Sequence, residues 1–241
     1  MTDRKGMGAH LVGRVALITG ASRGIGRAVA LRYAAEGADT IALARTQGAL
    51  EALDDETRAG NGKLTLAVGD LLQPGFIEQT ATAVGERFGR LDVLVLNAGQ
   101  LGILSPIAQI DPRVWDTTMA VNVNANWRLI RAFDPWLRQS AAGRVVVVSS
   151  GVTQRVAPYW GAYAVSKAAL EAMARIYAAE TAKTSVRVIL ANPGATRTAM
   201  RAQAFPGEDP ATLKTPADIA GHFVDWADAG STPPAELVNL D

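Results

Sequence analysis

The sequence predicts a doubly wound α/β fold, a seven-stranded parallel sheet with helices on both faces. Three observations carry this reading. Seven short runs are apolar nearly throughout, as strands covered on both faces must be. Longer segments of helical composition separate them, so that β and α units alternate along the chain. Three glycines, Gly20, Gly24 and Gly26, stand between the first strand and the first helix, where the chain must turn tightly.

RVALIT (14–19) is the first strand, and a helix over 24–36 follows the glycines. TIALA (40–44) and LTLAV (64–68) flank a helix over 47–59, in which Asp54, Asp55 and Glu56 read as a solvated face. A helix over 75–88 precedes DVLVL (92–96). A long one over 112–139 leads to RVVVVS (144–149), and another over 160–183 leads to VRVILA (186–191). A helix over 216–228 and the strand ELVNL (236–240) complete the series. Right-handed crossovers between parallel strands then set most of the topology. One long irregular stretch interrupts it, ATRTAMRAQAFPGEDPATLKTP. Loops of that length in compact domains usually work, and 198–216 is predicted to be a substrate lid.

Composition narrows the function. With 241 residues, 49% of them apolar, the chain supports one large core, expected over 13–241, with a flexible arm at 1–12. No cysteine is present, which excludes disulfides, thiolate metal sites and a cysteine nucleophile, and agrees with a reducing, cytoplasmic location. The net charge of +1 offers no field for nucleic acid or an acidic membrane. His10 and His222 lie far apart without metal-ligand spacing, so no metal site is expected. No apolar run reaches the roughly 18 residues of a membrane span.

Glycines after a first strand permit close approach of backbone to phosphate, and the following helix N-terminus offers free N–H groups and positive dipole to a pyrophosphate. Gly20, Ser22, Arg23, Gly24, Ile25 and Gly26 are therefore assigned to a dinucleotide. At the end of the second strand, Ala44 occupies the place where an acid would bond an NAD ribose, and Arg45 follows. A guanidinium grips a 2′-phosphate through its planar fork, with Arg23 approaching from the other side, so NADP(H) is favoured over NAD(H).

The spacing Thr19-Gly20-Ala21-Ser22-Arg23-Gly24-Ile25-Gly26 resembles the TGxxxGxG signature of the short-chain dehydrogenase/reductase family, in its compact single-domain, Rossmann-type branch. Asp70-Leu71 is similar to the pair that flanks adenine in that family, and Asn97-Ala98-Gly99 to its NNAG. Leu96 replaces the first Asn and is expected to affect packing. Asn122, Ser150, Tyr163 and Lys167 match the catalytic tetrad, with Ser150 thirteen residues before the tyrosine. By this resemblance Tyr163 is the acid/base and Lys167 also bonds the nicotinamide ribose. Ser150 donates to the substrate oxygen, and the backbone at Asn122 holds a water. Pro193, Gly194, Thr196 and Thr198 resemble the PGxxxT segment that holds the carboxamide and presents the pro-S hydride; Thr198 also reads as an N-cap.

A free tyrosine, with a pKa of about 10, holds its proton too tightly for reversible transfer at neutral pH. A lysine at roughly 4 Å would stabilise the phenolate by up to about 4 kcal/mol, so Lys167 is expected to bring Tyr163 towards neutrality. The implied activity is NADP(H)-dependent interconversion of a small-molecule carbonyl and an alcohol. A non-catalytic NADP(H)-sensing regulator is the rival reading. Met200, Phe205, Val152, Tyr159 and Trp160 are candidates for the substrate pocket or for packing, and the stretch MRAQAFPGEDPATLKTPADI (200–219) resembles that of the bacterial YciK-like oxidoreductases. The resemblance also implies a homodimer or homotetramer built on the helices at 112–139 and 160–183.

Overall fold

The computed structural model describes residues 9–60, 62–234 and 237–240. Seven strands form one sheet: β1 (Val15–Thr19), β2 (Asp39–Ala44), β3 (Leu64–Val68), β4 (Val93–Leu96), β5 (Arg144–Val148), β6 (Arg187–Asn192) and β7 (Val238–Asn239). Their order is β3-β2-β1-β4-β5-β6-β7, with every pair parallel. The order reverses between β1 and β4, which opens a crevice at the carboxyl ends of those strands.

Side-chain alternation explains why the strands read as continuous apolar runs. Along β1, Ala16 and Ile18 face one core while Val15 and Leu17 face the other; β5 divides Val146 and Val148 from Val145 and Val147 in the same way. The first core is closed by α1 (Gly24–Ala35), α2 (Gln47–Ala59) and α8 (Pro216–Ala227), the second by α3 (Phe76–Phe88), α5 (Ala125–Arg138) and α6 (Gly161–Thr181). Leu96 is buried in the second core, in keeping with a packing role.

Four expectations are modified. The long helix at 112–139 is two helices, α4 (Pro112–Met119) and α5, joined by a π turn at Ala120–Asn124. The 198–216 segment is not irregular: Thr198 caps a short helix, α7 (Ala199–Ala204), and Asp209 caps a 3₁₀ turn at Pro210–Thr212. Both stretches are too short to show helical periodicity. The last strand is paired only at Val238 and Asn239, and residues 235 and 236 lie outside the described residues. Residues 1–8 of the expected arm lie outside them too, but Leu11 is fully buried and its N–H donates to the Glu36 carbonyl at 3.0 Å, so packing begins before residue 13. Among the described residues no helix is long and apolar enough to cross a membrane.

Candidate active site

The crevice is built from strand ends. Thr19, the last residue of β1, donates to the Val95 carbonyl at 3.1 Å and accepts the N–H groups of Asn97 and Ala98, both at 3.0 Å. Asn97 returns its side-chain amide to the Thr19 carbonyl at 2.8 Å. With β1 and β4 tied so closely, the turn has no room for side chains: a Cβ on Gly20 would lie 3.0 Å from the Ala98 Cα, and one on Gly26 2.5 Å from the Gly20 oxygen. Gly24 has φ +57, and α1 begins there with no side-chain cap on its free N–H groups. They face a cavity of about 1260 Å³. A glycine cradle, an uncapped helix N-terminus and flanking arginines are a donor set that fits a pyrophosphate-linked dinucleotide.

That cavity is lined by every residue assigned above to the cofactor except Gly26, which lies where a Cβ would run into Gly20 and Asn97. At one end Arg45 follows β2, with Nη1 3.7 Å from the Asp70 carboxylate, both side chains well exposed. Thr46, not foreseen, joins the lining at the uncapped start of α2; a threonine before a helical run was the available signal. Arg27 also lines it, but is paired with Glu56. Thr198 caps α7 by accepting the Arg201 N–H at 3.2 Å, and its methyl would be 3.4 Å from a Cβ on Gly24, which puts it over the glycine loop. Thr196 is buried, its hydroxyl donating to the Pro193 carbonyl at 2.9 Å.

At the other end lie Ser150, Tyr163 and Lys167. Ser150, two residues past the end of β5, accepts the Val152 N–H at 3.4 Å and caps a 3₁₀ turn at Gly151–Gln154. Tyr163 and Lys167 share one face of α6, one turn apart. Burial raises the Tyr163 phenol above its ordinary value, opposed by a side-chain hydrogen bond from Ser150. The expected pull of Lys167 on the phenol is not what the geometry produces. The ammonium donates to the Val148 carbonyl at 2.8 Å and stands 5.8 Å from the Tyr163 ring centroid, leaving desolvation as the larger influence. Lys167 itself is lowered to about 8 by burial, partly offset by Glu171.

Asn122 does not line the cavity; it sits in the π turn behind it. Its side chain accepts the Gln100 N–H and donates to the Gln100 carbonyl and the Ser166 hydroxyl, each at 2.9 Å, and Ser166 donates to the Tyr163 carbonyl at 2.8 Å. Asn122 thus clamps the loop after β4 to the first turn of α6. Its own carbonyl accepts the Asn126 side chain at 2.8 Å. Of the candidate pocket residues, Trp160, Met200 and Phe205 line the cavity. Val152 is packed beneath, and Tyr159, with φ 73, lies outside the lining with its side chain exposed.

The model of the short chain dehydrogenase family matches residues 14–209. The chain belongs to this family. It is 44% identical over 209 residues to the oxidoreductase YciK of Escherichia coli K12, covering 86% of this chain and 82% of that one. A short chain dehydrogenase of Shigella flexneri 2a, solved complexed with NADP, superposes with a TM-score of 0.92 at 38% identity, covering 96% of this chain and 98% of that one. An NAD-dependent oxidoreductase of Mycobacterium tuberculosis is 36% identical over 207 residues, covering 80% and 75% of the two chains.

In this family member Glu171 is a site residue that the sequence reading passed over, although it continues the spacing of Tyr163 and Lys167 by another four. Buried in α6, its carboxylate accepts from Ser149 at 2.5 Å, Thr153 at 2.7 Å and Arg175 at 2.9 Å, and so holds both sides of the Ser150 turn. Glu171→Gln keeps the shape but loses acceptor capacity. It is expected to cost about 1–3 kcal/mol in urea unfolding, the range for hydrogen bonds to a buried charge.

Lys167 gives a pH signature. Its folded pKa, about 8, lies below its ordinary 10.5, so between those values the unfolded chain binds more protons and stability attributable to this group rises with pH. Unfolding measured against Lys167→Met is expected to shift in favour of the unaltered protein by about 3 kcal/mol from pH 8 to 10.5. A flat difference would place the ammonium in solvent.

Proposed function

We propose that the chain is an NADP(H)-dependent oxidoreductase that interconverts a carbonyl and a secondary alcohol, with Tyr163 as acid/base. The observation that carries this reading is the joining, in one cavity, of the glycine cradle with Ser150, Tyr163 and Lys167. A bound nicotinamide supplies or takes up the hydride. Ser150, which lines the same cavity as the phenol, donates to the substrate oxygen as charge develops there. Tyr163 delivers the proton, and its raised pKa keeps the phenol protonated through neutral pH, which suits reduction. Lys167 bonds the nicotinamide ribose, and Asn122 positions α6 through Ser166.

Arg45 and Arg23 hold the 2′-phosphate in this reading, which the NADP complex of the Shigella relative supports. Thr198 and the 198–216 segment form the lid. The exposed Trp127, Val165 and Ile176 on α5 and α6 support a homo-oligomer, and a chain without cysteine suits the cytoplasm. The reading is tested by NADPH oxidation over ketones, aldehydes, quinones, sugars and 3-oxoacyl thioesters. Tight NADPH binding with no turnover on any of them would favour a regulator.

A further inference from the structure

The cavity also carries information about the substrate. Leu101, Val152 and Tyr163 are buried together, with Trp160, Met200 and Ala204 packed against them. Aromatic contacts continue outward: the Trp160 ring lies 6.0 Å from that of Tyr163 and 5.6 Å from that of Phe205. At the outer end the Arg201 guanidinium stacks on Phe205 at 3.8 Å. One bidentate edge is already occupied, since Nε and Nη2 donate to the two Glu208 oxygens at 2.6 and 2.5 Å.

Arginine in a substrate pocket ordinarily grips a carboxylate or phosphate through this bidentate geometry. Here the carboxylate comes from the chain itself, seven residues on, in the turn that follows α7. Arg201 holds the Glu208 carboxyl below its usual range, so the pair stays ionised at neutral pH. A substrate anion would meet a guanidinium whose charge Glu208 already balances, and would compete with that carboxylate for it.

We infer that the pocket takes a neutral, aryl-bearing ketone or aldehyde, with Trp160 and Phe205 against the ring and Glu208 cancelling the charge that Arg201 would otherwise offer to an acid. The inference rests on the oxidoreductase reading above. In the reaction the carbonyl carbon receives the hydride of NADPH, the π pair moves to oxygen, and that oxygen takes the Tyr163 proton. The products are the alcohol and NADP⁺, and water returns a proton to the phenolate.

The test compares kcat/KM with NADPH for phenylglyoxylate, its methyl ester and an alkyl 2-oxo ester of similar size. The aryl ester is expected to exceed the acid by about 10²-fold, and Glu208→Gln, which frees Arg201, to raise the acid-to-ester ratio by about 10-fold. Independently, Phe205→Leu is expected to lower the aryl-to-alkyl ratio by about 3- to 10-fold. Preference for the acid in the unaltered protein, or ratios that neither substitution moves, overturns the inference. Reduction of the acid or a sugar without the aryl ester overturns the substrate class and leaves the reaction standing. No NADPH oxidation with any carbonyl overturns both.

Discussion

Tyr163→Phe is expected to lower kcat by about 10³-fold, within the range for removal of a general acid, while the Kd for NADPH changes by less than about 3-fold. The two effects separate because the phenol oxygen and the ring do different work. The ring packs with Leu101 and Val152 and meets Trp160 at 6.0 Å, contacts that phenylalanine keeps. Without the hydroxyl, the developing alkoxide has no proton donor. Single-turnover kinetics alongside equilibrium NADPH titration checks both halves. Turnover that survives the substitution would sink the mechanism.

Arg45→Asp is expected to weaken NADPH binding by about 10²-fold and NADH binding by less than about 3-fold, the loss combining a charge-assisted contact with new like-charge repulsion. Arg45 stands 3.7 Å from Asp70, so the substitution removes a cation and sets two carboxylates side by side where a 2′-phosphate would lie. An NADH ribose carries no such phosphate, and a new acid next to Ala44 is close to where a ribose hydroxyl is bonded in NAD-binding folds. Calorimetric titration of both cofactors decides the matter. Equal weakening would remove Arg45 from the phosphate site.

What the sequence revealed followed from local chemistry. Strands buried on both faces announce themselves as apolar runs, and the glycines at 20, 24 and 26 announce a turn without room for Cβ atoms. Contacts across the fold did not show in this way. Lys167 was expected to act on Tyr163, because spacing reports a shared helix face and not that a strand carbonyl, Val148, lies within reach of the amine. The Arg201–Glu208 pair joins residues seven apart, two turns on a continuous helix, but α7 ends at Ala204 and the contact is made by the turn that follows. Glu171 was legible in principle from its spacing, but its partners Ser149 and Thr153 come from another element.

The π turn at Ala120–Asn124 joins two different registers within one long helical path. The turn itself carries Asn122 and its bonds to Gln100 and Ser166; after it, the register serves Leu129, Phe133 and Leu137 in the core. Each residue of an α-helix advances the face by about 100°, so removing one residue here would straighten the backbone yet swing α5 out of phase with the sheet. Lengthening it by one would do the same in the opposite sense. Surface loops absorb such changes in chain length, whereas this interval cannot, and related chains with the same clamp should keep it at constant length.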